Sequence, residues 1–524
     1  MLRSRALYLA LGLVATAASP ALAATPGKTG YYTYHYDNGR TGWNPSETTL
    51  TTKSVASSRF GLVRTLAADS VVYAQPLYVP NVTVGGVNHN LAILATENDS
   101  VYAYDADTGA LVWKRSFIAP SRGITAVSIQ SVGGCGQITP TIGISSTPVV
   151  DATTGTLYVV DKIQITSGGS TTYHNRLHAL DLRGGADRLT PTEIAGSVHI
   201  NGGGTDVFAD QWQQNRAGLV LANGNVYVGF GSSCDENASI THGWLFAYDR
   251  HTLKNTAIFN TTTTSAADYL GAIWQATYAP AADAAGHLYF ATGNGAFDAN
   301  TGGSDFGEAV LRLDRSLHVA DYFSPHDELV QSNNDQDLGS NGVMLVPGTN
   351  PQVAIAGIKS GTMYVLNAGN LGGFHASDRI YQRVVIENSA DSMFGGPAYY
   401  AGFVYWGASG LPVQAYAVTT SPAPHLSLKS RTPNTFNGEG SAIPGISSNG
   451  TTPGTAILWA MTGPSTGNSI VLYAYDATNL SRMLYSGKAG VWRAQAGAFL
   501  TPTIADGHVF VGGAGYSVAE FGLR

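Results

Sequence analysis

Four stretches of the chain hold residue types that can do chemistry. Asp335 and Asp337 flank one residue in NDQDLGSNG, and Lys359 follows in GIKSGTMYV. Carboxylates beside an ammonium ion can move a proton or steady a developing negative charge; solvated loop charges are the plainer reading. Asn294 stands between Gly293 and Gly295 in LYFATGNGAFD, a place that suits a turn residue as well as an amide ligand. Trp274, in IWQATYAPAAD, offers a flat face to a core or to a planar molecule. Asp235 and Glu236 lie together in VGFGSSCDENASITHGW. Carboxylate and amide oxygens are hard donors of the kind calcium takes. His242, in the same stretch, is the histidine to follow, with a structural role as its first reading. The 13 histidines show no H-x-x-x-H pair or comparable zinc spacing.

Side chains so far apart in sequence need a scaffold that gathers them, and internal repetition supplies one. The clearest unit is VYAYDADTGALVWKR, residues 101–115. Weaker copies end in Asp181, Asp249, Asp314, Asn367, Val418, Asp476 and Phe521. Hairpins with Gly, Asp or Asn at the turn precede them, as in TPVVDATTGTLYVV, GLVLANGNVYVGF, APAADAAGHLYFATG and TPTIADGHVFVGG. A hairpin, an A-x-D strand and an outer strand make one four-stranded blade. Eight units predict an all-β fold, an eight-bladed β-propeller; two tandem β-sandwiches are the alternative. Residues 24 to about 45 are expected to supply the strand that closes the last blade.

The composition agrees. The chain has 63 glycines in 524 residues, 44% hydrophobic residues and 12% charged ones. That suits short strands and tight turns, and excludes a helical bundle or a disordered chain. The net charge of −7, with no basic stripe, argues against a nucleic-acid partner. Arg3 and Arg5, the apolar run Ala6–Ala18 and the Ala21-Leu22-Ala23 site read as a signal peptide over 1–23, cut before Ala24. The expectation is one propeller domain over 24–524, periplasmic or secreted, with no membrane span. The only two cysteines, Cys135 and Cys234, can then form a disulfide. No C-x-x-C-H is present, so no c-type haem is attached.

The signature A-x-D-x-x-T-G-x-x-x-W at 103–113 resembles the tryptophan-docking repeat of quinoprotein alcohol dehydrogenases, eight-bladed propellers in which the tryptophan packs between blades. Later units here keep the strand and the acid but lose Thr-Gly or Trp. Non-catalytic propellers carry the repeat too, so it speaks for the fold, and function must come from the site. There the family order is kept. The resemblance implies that Asn294 is a calcium ligand, that Trp274 is the floor under a quinone, and that Lys359 contacts the quinone. It implies Asp337, with Asp335 beside it, as catalytic base and calcium ligand. It gives the remaining acidic ligand as Asp235 or Glu236, with both registers open. Pyrroloquinoline quinone and calcium are the implied cofactors, and an alcohol or sugar hydroxyl the implied substrate, with a separate electron acceptor.

Departures from the family mark where this expectation is exposed. The family's adjacent cysteine pair is absent, and Cys135 is followed by Gly136; a Cys135–Cys234 bond is expected to staple the cofactor end instead. The family's acid near the first blade is replaced by Tyr73-Ala74-Gln75-Pro76, which leaves Gln75 to face the cofactor. Ser146, Arg216, Asn341 and Ser448 are read as beginning the first strands of blades two, three, five and seven and are expected to face the same funnel, with Arg216 as the anion contact. The competing reading is a cofactor-free propeller that binds a protein or glycan across one face.

Overall fold

The computed structural model describes residues 29–386, 393–438, 442–462, 467–492, 499–513 and 515–524. Residues 1–23, expected to be a signal peptide, lie outside them. The chain forms eight four-stranded antiparallel blades around a central channel. Blade one is Leu77–Val84, Val87–Thr96, Ser100–Asp105 and Leu111–Ser116, in that order from the axis outward. The third strands of the later blades are Ser170–Asp181, Trp244–Asp249, Val310–Leu313, Thr362–Asn367, Gln414–Thr419, Ser469–Asp476 and Ser517–Leu523. Each ends at or beside the repeat residue marked in the sequence. Alternation within these strands puts apolar side chains on both faces, and the cores are interblade clusters such as Phe208, Phe230, Trp244 and Phe246.

Blade one shows how a seam is locked. Trp113 is 8% exposed, and its indole Nε1–H donates to the Leu182 carbonyl of blade two at 2.7 Å. The ring lies on Gly185, where a Cβ would come within 2.7 Å of it. Burying such a ring is worth about 1.5–3 kcal/mol.

Closure of the propeller differs from the sequence expectation. Within the expected segment of 24 to about 45, the described residues from 29 on do not complete blade eight. Phe60–Ala67 does, paired antiparallel with Ser517–Leu523. The alternating FGLVRTLA is a strand pattern, whereas TYHYDNGRTGW has no period of two. The earlier segment has another task. From Tyr31 to Asn44 it runs around the channel and meets the innermost strand of every blade in turn. It bonds through backbone to Tyr78, Val150, Ala282, Leu345, Tyr399 and Ile446, and through Asn38 and Asn44 side chains to the Leu221 and Ile504 carbonyls. Positive φ at His35, Tyr36, Arg40 and Gly42 curls it into that ring. Arg40, buried, donates to the carbonyls of Pro280, Tyr34 and Asp37.

Candidate functional site

The ring closes one end of the channel, and the other end holds a cavity of about 480 Å³ including its mouth. Its walls come from segments just before the first strands and from loops between second and third strands. Those places are nearest the axis, and they have no ladder partners to fix their direction.

Asp337, Asp335, Lys359, Asp235, Trp274 and Arg216 all line this cavity. Asp337 is 3% exposed. Its Oδ1 accepts the Asn294 backbone N–H at 2.8 Å, and its Oδ2 meets Lys359 Nζ at 2.5 Å. Lys359 Nζ also lies 3.3 Å from Asp335 Oδ2 and donates to the Asp335 carbonyl at 3.2 Å. Asn294 donates its side-chain amide to Asp335 Oδ1 at 2.6 Å, while its own Oδ1 is buried with no hydrogen-bond partner. Trp274 is held between blades three and four by glycine. A Cβ on Gly293 would stand 2.9 Å from the indole, and one on Gly231 3.0 Å.

Charge is unevenly balanced. Burial pushes the Asp235 carboxyl up to about 7, and the nearby Asp337 and Asp335 carboxylates push the same way. Burial raises Asp337 above the usual carboxylate range, against the pull of Lys359. Glu308, behind Asp337, is raised well above its ordinary value by burial and by the Asp337 charge. It accepts Leu338 N–H at 2.8 Å through one oxygen, and the other has no hydrogen-bond partner. The backbone is strained here as well. Cys234, Asp235, Gln275, Ala276, Thr277, Glu308 and Asp335 all have positive φ, and none is glycine. An acid-rich site with unpartnered oxygens and a strained frame suits a bound cation and a polar ligand.

The remaining expected residues fall in several places. Arg216 donates to Gln137 Oε1 at 2.9 Å, and its guanidinium lies 4.6 Å over the Phe499 ring. Cys135 and Cys234 are bonded to each other, with Cα atoms 6.1 Å apart, and Cys234 lines the cavity. Glu236 is exposed and packs on Gly133, so of the adjacent acids Asp235 is the one at the cavity. Gln75 is taken up by the ring at the other end. It accepts from His35 N–H and donates to Tyr31 Oη and to the Pro502 carbonyl. Ser448 is also at the ring, accepting from Trp43 Nε1 and donating to the Gly450 carbonyl. Ser146 and Asn341 are buried and do not line the cavity; Asn341 donates to the Met393 carbonyl. His242 lies apart, bonded to Thr262 Oγ1 at 2.7 Å and 3.2 Å from Asp206 Oδ2. Burial lowers it to about 4, as for a neutral structural histidine.

Sequence reasoning missed Gln137, Ala276, Ser340, Phe394 and Phe499, which complete the lining. Phe394 and Phe499 stack at 5.0 Å from two separate loops. No local pattern marks them. Their one signal is position, a few residues before the first strands of blades six and eight.

No protein-family profile matches the sequence, and no curated protein matches it either. The fold does match solved structures. Quinohemoprotein alcohol dehydrogenase from Comamonas testosteroni aligns over 94% of this chain and 80% of its own, at 15% identity and TM-score 0.58. A quinohemoprotein alcohol dehydrogenase from Pseudomonas putida HK5 aligns over 95% and 80%, at 14% identity and TM-score 0.58. A europium-containing methanol dehydrogenase aligns over 94% and 98%, at 13% identity and TM-score 0.59. The chain shares its fold with these solved structures.

Proposed function

We propose that the chain is an exported quinoprotein-type oxidoreductase that oxidises an alcohol or sugar hydroxyl at this cavity. The observation that carries the reading is Asp337: a buried carboxylate at the axis, held by an amide N–H and by Lys359, beside Trp274 and Asp235. The donor types fit the implied cofactors. Among the described residues no three His, Cys, Asp or Glu side chains are grouped to grip a metal. Calcium would instead need the mixed set of Asp337, Asp235 and the unpartnered Asn294 Oδ1, all hard oxygens. Trp274 and Lys359 would hold pyrroloquinoline quinone, with Arg216 facing its carboxylates. When bound, the quinone accepts hydride and calcium polarises it. Asp337 takes the hydroxyl proton, and the Lys359 ammonium offsets part of the burial that favours the protonated carboxyl. The Cys135–Cys234 bond and the Phe394–Phe499 pair limit water at the mouth.

The test is to add pyrroloquinoline quinone and calcium to the purified protein. The expected result is a bound chromophore and dye-linked oxidation of an alcohol or sugar. Asp337→Asn should keep the chromophore and lower kcat by about 100-fold or more. Absence of a bound chromophore would overturn the reading. One observation favours the alternative, a cofactor-free propeller that binds a protein or glycan: Gln75, in place of the family's acid, is turned into the ring.

A further inference from the structure

The seam between blades six and seven lacks the tryptophan that locks the seam between blades one and two, and carries Tyr405 on the second strand where blade one has Ile93. In blade one, Ala103 pairs with Trp113, and the ladder slips between Ala103 and Tyr104. In blade six, Ala415 pairs with Ser430, and the ladder slips between Ala415 and Tyr416. The two outer strands share one register, bulge included, so Ser430 stands where Trp113 stands. In blade one the indole donates to the carbonyl of Leu182, the residue after Asp181. The matching residue in blade seven is Ala477, after Asp476. Its carbonyl accepts instead from the Tyr405 hydroxyl at 2.8 Å. That bond comes from the second strand of blade six, so the carbonyl is already taken, and a groove remains beside it. A groove of about 1070 Å³, including its mouth, lies there, walled by Tyr400, Phe403, Tyr405, Ser430 and Ala477, with Lys429 at its rim.

Other blades carry different side chains at this place. In blade seven the position belongs to Tyr485, which pairs with Ala474 and packs 4.9 Å from the Phe60 ring. In blade eight Arg64 lies on Gly109 and reaches the Ala106 carbonyl at 3.4 Å. In blade two Arg188 sits there and donates to Thr156 Oγ1 at 2.8 Å, beside a smaller groove of about 680 Å³ whose wall it and Arg250 make cationic. Blade three has Ala257, which packs into the apolar cluster shared with blade four.

We propose that the groove between blades six and seven is a binding site for a planar aromatic ligand of the indole class. A largely apolar groove, at a place where another seam of the same fold seats an indole, can take a ring from solution. Tyr400, Phe403 and Tyr405 offer edges and faces to it, and the open mouth leaves room for a substituent. The inference rests on strand register and is independent of the quinone reading.

Free indole is the probe, titrated into the purified protein by calorimetry. Saturable binding with a Kd on the order of 0.1–1 mM is expected for a ring of that size. Ser430→Trp fills the groove from the protein's own chain; it should weaken binding at least about ten-fold and raise Tm. Phe403→Ala removes one wall, leaves the ladder intact and should weaken binding several-fold, which keeps the test decisive if the tryptophan variant misfolds. No saturation with the unaltered protein, or binding that neither substitution changes, would overturn the proposal.

Discussion

The two ends of the central channel are built from much the same materials and are held in opposite ways. Both have residues at positive φ, both bury charge, and both are rich in aromatic rings. At the ring end, Tyr31–Asn44 bonds to all eight blades, and Arg40 donates to carbonyls on both sides of it. At the cavity end, Asp235, Asp335 and Asp337 face one lysine, and Asn294 Oδ1 and Glu308 Oε1 have no hydrogen-bond partner. Strain that is offset by local bonds serves stability. Strain left beside unpaired oxygens serves whatever arrives to pair with them.

Three measurements would break or sharpen this contrast. The largest effect belongs to the ring. Arg40→Met removes the side-chain donor from the buried carbonyls of Pro280 and Tyr34 and should cost about 3–5 kcal/mol in denaturant unfolding. A loss below about 1 kcal/mol would show that the ring is not a clamp. Next is the disulfide, whose cysteines are 99 residues apart. Cys135→Ser with Cys234→Ser should cost about 2–4 kcal/mol by releasing that loop in the unfolded chain. Unchanged stability would leave the bond only a role at the mouth. The smallest effect has the opposite sign. The Asp235 carboxyl is raised to about 7 in the fold, so the folded protein holds its proton more tightly than the unfolded chain. Its contribution therefore turns unfavourable as pH rises from about 4 to about 7. Asp235→Asn should stabilise the protein by about 1–2 kcal/mol at pH 8 and leave it unchanged near pH 4. Stabilisation equal at both would remove the electrostatic argument.

Much of the fold was legible because each blade repeats one strand of fixed chemistry. LYAYD and WLFAYD could be aligned by eye, and the hairpin turns announced their neighbours. The closing strand was misplaced because FGLVRTLA has no acid to join it to the repeat, and the ring has no periodicity at all. For the site, Asp337, Lys359 and Trp274 were legible through motifs in a fixed order. Gln75 was assigned to the cofactor by its neighbours in sequence, yet its amide answers to His35 and Pro502 across the channel. Phe394 and Phe499 were invisible because what brings them together is the geometry of the whole circle.

The ring has a consequence for how the chain can reach its native state. Tyr31–Asn44 precedes every blade, but its partners extend to Ile504. The bonds to Tyr78 and Val150 can form with the first two blades, but the full set cannot close until Ile504 is in place. The blades have mostly local pairings and can form one after another, whereas the ring and the Phe60–Ala67 strand must wait for blade eight. Their contacts span nearly the whole chain, and such pairings are slow to close. The same wait couples the blades, since a blade that opens also removes a rung from a band held by the other seven. A solenoid can fray from one end; this circle, threaded by its own leading segment, has no end from which to fray.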